Sequence, residues 1–369
     1  MSRSFLIAAG GTGGHMFPAV ALARELMRRG YRVVLASDRR GARYLPADLE
    51  SARIASASPS GSPVRKIRAL VTLAGGLIQS LGLLIRRRPG AVAALGGYAS
   101  APVAIAARLL GTPVVVHEQN AVLGRANRLM AGHAARIALT FASTRGAEGL
   151  PEARVLVTGN PVRAEFDTLA GRAYRPPADG EPLRLIVVGG SQGARVLSEM
   201  VPAGIALLAE GQRARLRLTQ QCRPEDLDRV QATYRNLGFE AELRPFFDDL
   251  PDRLADAHLV VSRSGASSVA EILALGRPAL LVPYRHAADD HQRANADVLA
   301  DAGAARVLPE AELTAEQLRD HLAEALASPE GLAEMAAAAR ALARPDAAAR
   351  LADTLVGVAG RVAAEEALA

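Results

Sequence analysis

Short apolar runs alternate along the chain with longer segments whose apolar positions recur every three or four residues. The runs fall at residues 3–9, 31–37, 91–95, 113–117, 136–140 and 154–158, and again at 184–190, 214–219, 241–244, 258–262 and 278–283. A strand covered on both faces reads as a continuous apolar run, and a helix packed on a sheet keeps the 3.6-residue period. Alternation of the two predicts an α/β protein with parallel sheets and helices on both faces. Residues 161–183 interrupt the pattern with Pro161, Pro176, Pro177, Gly180 and Pro182, and read as a linker. Two doubly wound domains are therefore expected, at 1–162 and 163–345. The Ala-rich segment after about residue 312 is helical, and its last part, 346–369, is free to fold back on the first domain.

One helical segment departs from the rest. Residues 69–85 hold no charge, with Arg65, Lys66 and Arg68 before them and Arg86, Arg87 and Arg88 after. Seventeen residues at about 1.5 Å each reach roughly 25 Å, short of a bilayer's ~30 Å hydrocarbon core. Apolar positions 67, 70, 71, 74, 78, 81 and 85 make one stripe, widened by Leu73, Leu77 and Leu84. Two readings stay open: a helix covering a sheet, or an amphipathic helix whose apolar width and basic ends touch an anionic membrane over residues 64–88.

Two runs stop at glycine clusters before a helical segment, Gly10-Gly11-Thr12-Gly13-Gly14-His15 and Gly189-Gly190-Ser191-Gln192-Gly193. Glycines let backbone N–H groups approach a ligand, and the helix that follows aims its positive dipole end at the loop, which suits phosphate. The 369 residues are 50% hydrophobic and 22% charged, enough for large cores and outside the disordered class. A formal charge of +6 suits anionic partners. Aromatics at 4% and the lack of Trp disfavour single-stranded nucleic-acid binding, which uses stacking platforms. Cys222 is the only cysteine, so no internal disulfide forms and a reducing compartment is expected. The N-terminal apolar run is too short for a signal peptide and reads as the first strand.

Each candidate motif carries rivals. The first glycine loop fails the dinucleotide fingerprint, because Met16 occupies the third glycine position, although Asp38 ends the second strand where an NAD-binding acid belongs. Ser191 fits Gly-x-Ser-x-Gly, with Asp248 or Asp249 and then His258, His286 or His291 in serine-hydrolase order, but no oxyanion segment precedes it. Residues 258–271 form a further strand–loop–helix junction, where Arg263 and the hydroxyls of Ser264, Ser267 and Ser268 suit a phosphate and Glu271 suits a ribose. His286, Asp289, Asp290 and His291 match no standard metal-ligand spacing. Asp226-Leu227-Asp228 resembles an Asp-x-Asp metal motif but follows Pro224 at a helix start, where acids are ordinary. His117-Glu118-Gln119-Asn120 is a polar run at the end of an apolar strand, the usual place for a ligand site in an open α/β sheet.

Taken in order, Gly-Gly-Thr-Gly-Gly-His, Gly-Gly-Tyr-Ala-Ser at 96–100, His-Glu-Gln-Asn, Gly-Asn-Pro-Val-Arg at 159–163, Gly-Gly-Ser-Gln-Gly-Ala and Ser-Arg-Ser-Gly-Ala resemble glycosyltransferase family 28 and its lipid II-forming N-acetylglucosamine transferases. The resemblance runs from residue 5 to about 310. It implies a GT-B fold, two Rossmann-like doubly wound domains facing across a cleft. It implies inverting transfer of GlcNAc from UDP-GlcNAc to the C4 hydroxyl of MurNAc in lipid I, without metal or cofactor. It implies a peripheral protein on the cytoplasmic face of the plasma membrane, with no nucleic-acid partner. Carried over by motif, Ser191 with Gln192 and the backbone of Ala266, Ser267, Ser268, Val269, Ala270 and Glu271 would take the pyrophosphate, with Arg263 nearby. Glu271 would also take the ribose, Phe247 the uracil, and Gln292 and Asn295 the GlcNAc. Thr12, Gly13, Gly14, Asn120 and Arg163 would line the donor site, and Tyr98 the lipid I pyrophosphate. His15 is the expected general base, with Glu118 as its orienter or rival. Another GT-B glycolipid transferase is the nearest alternative.

Overall fold

Parallel pairing follows from strands that are apolar on both faces, since only helices above and below the sheet can cover them. The structure, a computed structural model, describes residues 4–58, 62–190 and 193–366. The chain divides into one unit of Met1–Arg163 with Arg344–Ala369 and a second of Ala164–Ala343. The first unit runs β1 (Ser4–Ala8), α1 (Gly13–Arg28), β2 (Arg32–Ser37), β3 (Ser51–Arg53), α2 (Pro63–Arg87), β4 (Ala91–Ala94) and α3 (Ser100–Leu109). It continues through β5 (Val114–Glu118), α4 (Arg125–Ala131), β6 (Arg136–Leu139) and β7 (Val155–Val157). The second runs α5 (Ala164–Leu169), β8 (Leu183–Val188), α6 (Arg195–Ala206), α7 (Glu210–Ala214), β9 (Leu216–Gln221), α8 (Leu227–Asn236) and β10 (Ala241–Arg244). Then come α9 (Leu250–Asp256), β11 (Leu259–Ser262), α10 (Ala266–Leu275), β12 (Ala279–Leu281), α11 (His291–Asp301), β13 (Ala305–Val307), α12 (Ala315–Ala327) and α13 (Pro329–Leu342). The last helix, α14 (Ala347–Glu366), belongs to the first unit.

The strand orders are β3-β2-β1-β4-β5-β6-β7 and β10-β9-β8-β11-β12-β13, with every pairing parallel. Both are Rossmann-like, and both reverse direction beside their first strand, at β1/β4 and at β8/β11. A crevice opens at the carboxyl ends of the strands at such a switch point. The glycine clusters after β1, β4 and β8 and the serine-rich loop after β11 sit there.

Strand alternation feeds two cores in the first unit. Leu6, Ala8, Val92 and Ala94 face one side, and Phe5, Ile7, Ala91 and Ala93 the other. Helix α1 covers the second side with Met16, Ala19, Leu22, Ala23 and Leu26, a stripe at three- and four-residue steps. Gly30, at φ +85°, closes it. Helix α14 completes the same core with Leu351, Ala352, Leu355 and Val358, and Arg29 pairs with Asp353 at 2.5 Å. Each fully buried leucine contributes about 1.5–3 kcal/mol.

Two sequence expectations change. The edge strands β3 and β13 were not anticipated, because an edge strand needs no apolar run and these are only Ser-Ala-Arg and Ala-Arg-Val. Residues 161–183 are no linker through most of their length: the second unit begins at Ala164, α5 buries Phe166, and Tyr174 packs against the core. Helix α2 is longer than its uncharged stretch, 25 residues or roughly 37 Å. By length and composition it could cross a membrane. One face is committed to the unit: a Cβ on Gly76 would lie 2.1 Å from the Ala55 carbonyl oxygen, and Gln79 Oε1 accepts from Ala55 N at 2.8 Å. The other presents Val64, Ile67, Leu70, Val71, Ile78 and Ile85, each 58–71% exposed.

Candidate functional site

The β1–α1 turn is built by an acid and two close backbones. Gly11 stands at φ +90°, where glycine alone is unstrained. Asp38 Oδ1 accepts from Gly11 N at 3.0 Å and Gly41 N at 2.7 Å. Asp38 thus fastens the loop that an NAD-type acid would leave open for a ribose. The loop after β4 presses against it: a Cβ on Gly97 would lie 2.4 Å from Gly10 O. Thr12, the exposed N-cap residue of α1, places no side-chain cap on the helix amides, and no acid stands in the first turn. Gly13, Gly14 and the half-buried His15 make that turn, and Tyr98 is half-buried on the neighbouring loop.

His15 is held by a chain of side chains. His117 is fully buried at the end of β5, and its Nε2 lies 2.9 Å from the Gly159 carbonyl oxygen. A carbonyl only accepts, so Nε2 carries the proton and Nδ1 the lone pair. Burial pushes this imidazole down to about 4, so the ring is neutral. Gln119 Nε2 donates to His117 Nδ1 at 3.0 Å and to Leu95 O at 2.9 Å. That fixes the amide: its Oε1 faces His15 Nδ1 at 3.0 Å and can only accept. Neutral His15 therefore bears its proton on Nδ1 and keeps Nε2 as the basic nitrogen.

Glu118, one residue away, points to the other face of the strand. Its Oε1 accepts from Asn120 N and Nδ2, at 3.0 and 3.1 Å. Its Oε2 accepts from Gly124 N at 2.9 Å and Asn127 Nδ2 at 2.7 Å. Glu118 clamps the turn into α4, and the orienting role beside His15 falls to Gln119. Arg163 lies over the Phe17 ring, 5.2 Å from its centroid.

In the second unit, Gly189 and Gly193 pack backbone to backbone: a Cβ on Gly189 would lie 2.5 Å from Ala194 N. Gly189 N donates to Gln221 Oε1 at 3.1 Å. Ser191 and Gln192 lie outside the described residues. Helix α10 starts at Ala266 behind Gly265, with no side-chain cap and no acid in its first turn. Ser267 Oγ is buried in this first turn without a partner among the described residues, while Val269 N already donates to Gly265 O at 2.9 Å. Glu271 is 7% exposed.

Other expected ligand residues brace this junction. Arg263 is tied to Glu310 at 3.0 Å and to Val282 O at 3.0 Å, with its guanidinium over the Tyr284 ring, so it braces the loop from within the unit. Asn295 is fully buried and donates to Ser264 O at 3.0 Å. Gln292 accepts from Tyr284 N at 3.0 Å, and its carbonyl accepts from Ser264 Oγ at 2.7 Å. The Phe247 ring is buried, with the Arg253 guanidinium 4.6 Å from its centroid.

The hydrolase and metal rivals fit poorly. β11 runs parallel to β8, so His258, which precedes β11, sits at the opposite end of the sheet from the loop that follows β8. His286 Nε2 accepts from Arg285, His291 bonds Ala288 O, and Asp249 pairs with Arg253. Asp226 is held by Arg223 at 2.7 Å and Arg229 at 3.1 Å. Among the described residues no three His, Cys, Asp or Glu side chains converge as a metal would require.

Comparison with known proteins fits both halves. The glycosyltransferase family 28 N-terminal domain model matches residues 5–139, and the C-terminal domain model residues 184–351. A relative from Rhodospirillum rubrum, named UDP-N-acetylglucosamine–N-acetylmuramyl-(pentapeptide) pyrophosphoryl-undecaprenol N-acetylglucosamine transferase, is 50% identical over 356 residues, 96% of this chain and 91% of the relative. One of the same name from Paramagnetospirillum magneticum is 49% identical, over 95% of this chain and 96% of its own. The crystal structure of Acinetobacter baumannii MurG superposes with a TM-score of 0.78 at 30% identity, covering 96% of this chain and 99% of that one. With both domain models matched in order and two Rossmann-like units of the GT-B class beneath them, the chain belongs to glycosyltransferase family 28.

Proposed function

We propose that this protein transfers N-acetylglucosamine from UDP-GlcNAc to the C4 hydroxyl of the MurNAc unit of undecaprenyl-pyrophosphoryl-MurNAc-pentapeptide, with inversion at the anomeric carbon. The names of its full-length relatives support donor and acceptor. The observation that carries the chemistry is the His15–Gln119–His117 chain, which makes Nε2 the basic nitrogen of the neutral His15 ring at the glycine junction. In the transfer, the acceptor oxygen bonds to the sugar C1 as the C1–O bond to UDP breaks. His15 Nε2 takes the hydroxyl proton, and Gln119 Oε1 holds the resulting imidazolium through Nδ1–H. The bond pair leaves with UDP, whose growing charge falls on the diphosphate. The uncapped amides of α10 and the Ser267 hydroxyl suit that charge, so fixed donors stand where a metal would otherwise serve.

The acceptor is a membrane lipid, and α2 accounts for reaching it. Its packed face cannot leave the unit, so its exposed face lies in the bilayer interface rather than spanning it. Arg65, Lys66, Arg68 and Arg86 at its ends attract anionic headgroups, each worth about 1 kcal/mol near the surface. The protein thus works at the cytoplasmic face as a peripheral protein.

The direct test is transfer of labelled GlcNAc from UDP-GlcNAc to a short-chain lipid I analogue. Product formation is the expected result. UDP-GlcNAc binding without transfer would overturn the acceptor, and no binding would overturn the donor. For α2, Ile67→Glu with Ile78→Glu should abolish co-sedimentation with phosphatidylglycerol vesicles and leave transfer to the short-chain analogue intact; undiminished sedimentation would sink the interfacial reading.

A further inference from the structure

The amino ends of the second unit's strands carry a cluster that the transfer does not use. Arg184 is the second residue of β8, His258 directly precedes β11, and Arg277 stands two residues before β12. With Arg172, Arg175 and Asp256 they line a cavity of about 340 Å³, at the lower end of the roughly 300–1,000 Å³ usual for small-ligand sites. The glycine junctions lie at the other ends of these strands.

Arg277 is 2% exposed, yet its Nε and Nη2 have no hydrogen-bond partner among the described residues. A buried guanidinium with two nitrogens lacking acceptors is a costly arrangement in a protein. Burial pushes Arg277 down to about 10, which leaves it charged at neutral pH. The Tyr174 ring lies 5.4 Å from its guanidinium carbon, but that phenol donates its hydroxyl to His258 O. The two acids close by are engaged elsewhere: Asp256 pairs with Arg172 at 2.7 Å, and Glu181 pairs with Arg184.

A second observation points the same way. The backbone N–H of Arg184 faces His258 Nδ1 at 3.1 Å, and its Nη2 faces His258 Nε2 at 2.6 Å. Burial and the Arg184 charge push this imidazole down to about 4, so the ring is neutral. A neutral imidazole accepts at one nitrogen only, so one Arg184 donor meets another N–H. Backbone carbonyls take some of these donors, Asp256 O from Arg184 Nε at 2.7 Å among them, but the four arginines still outnumber the two acids, Asp256 and Glu181. A group that only accepts, and carries negative charge, would relieve both mismatches.

We infer that this cavity binds a phosphate-sized oxyanion, with Arg277 as its buried anchor, Arg184 beside it, and Arg172 and Arg175 at its exposed rim. The site is separate from any nucleotide diphosphate, since β8 and β11 place it a strand's length away from the junctions that end them. It stands whether or not the transfer reading does.

The test is calorimetric titration of inorganic phosphate into the full-length protein saturated with UDP, so that a diphosphate site is closed to it. One binding event is expected. Arg172→Ala with Arg175→Ala, both exposed, should weaken it at least tenfold with Tm unchanged. Arg277→Met should abolish it while Tm holds or rises, because a buried, unpartnered charge has been replaced by an apolar side chain of similar length. No binding in the presence of UDP, or binding equally tight in the rim double variant, would overturn the site. A fall in Tm with undiminished phosphate binding in Arg277→Met would make Arg277 structural and overturn the anchor. Release of the phosphate by phosphatidylglycerol vesicles, but not by phosphatidylcholine, would assign the anion to a lipid headgroup; retention assigns it to a soluble anion.

Discussion

The junctions after β1 and after β11 are the same device tuned to different work. Each is a strand that ends in small residues and passes into a helix with no side-chain cap. The first is fastened by buried side chains, Asp38 on its amides and Gln119 on His15, and it holds an imidazole whose basic nitrogen is set by that bond. The second is fastened from behind, by Arg263–Glu310 and Asn295 on Ser264, and offers amides and the Ser267 hydroxyl. One junction can move a proton; the other can only stabilise a charge. Substitutions in the first should therefore act on kcat, and those in the second on donor binding.

The largest effect should come from His15→Ala. Loss of a positioned base lowers kcat by about 10²–10⁴-fold, with the Kd for UDP-GlcNAc unchanged. Wild-type turnover in this variant would remove His15 from the chemistry. Next is Gln119→Leu, which removes the acceptor that holds His15 Nδ1–H. A hydrogen bond to a charged group is worth about 1.5–3 kcal/mol, so kcat should fall roughly 10- to 100-fold. The acid limb of the pH–rate profile should also move, because Oε1 no longer favours the imidazolium. A fall in kcat with an unmoved limb would make Gln119 structural only.

The sequence reaches this site part of the way. Every apolar run became a strand; the inner strands are buried and cannot hide their composition, whereas β7 and β10 are half-buried edges. The polar run 117–120 was legible as a site by its place at a strand end. Which member faces His15 was legible too, but only through strand parity: residues 117 and 119 share a face, and 118 points away. That period of two gives Gln119, and not Glu118, the face toward His15. Arg263 is different. Its partner Glu310 lies 47 residues on, and no local pattern links them. Likewise the stripe on α2 shows amphipathicity, while only packing against Ala55 decides which face is covered.

A third test compares the units through their buried histidines. His117 lies at the carboxyl end of β5 and His258 at the amino side of β11, and burial pushes both to about 4. Each folded-state value is below the ordinary 6.5, so on the way down in pH the unfolded chain takes up these protons first. Their contribution to stability is complete above about pH 6.5 and is lost as pH falls toward 4. For His117 the slope is at most about 1.4 kcal/mol per pH unit. Urea midpoints should decline from pH 6.5 to 5, before carboxylates titrate, and the ring resonances of both histidines should stay neutral to pH 5. A flat midpoint, or a ring that titrates near 6.5, would show that the histidine is not buried as described.

The smallest effect separates fold from function most cleanly. Ser267 Oγ is buried at the start of α10 without a protein partner among the described residues, so Ser267→Ala breaks no internal hydrogen bond. Removing an unsatisfied hydroxyl should leave Tm unchanged or slightly raised. If the hydroxyl serves the donor's diphosphate, the same change removes a bond made only with ligand. At about 1 kcal/mol that is roughly a fivefold rise in KM for UDP-GlcNAc, with kcat nearly constant. Stability and binding then move apart, which a packing residue cannot do. A parallel loss of both would place Ser267 in the scaffold, and an unchanged KM would leave the α10 amides as the diphosphate's only contacts at this junction.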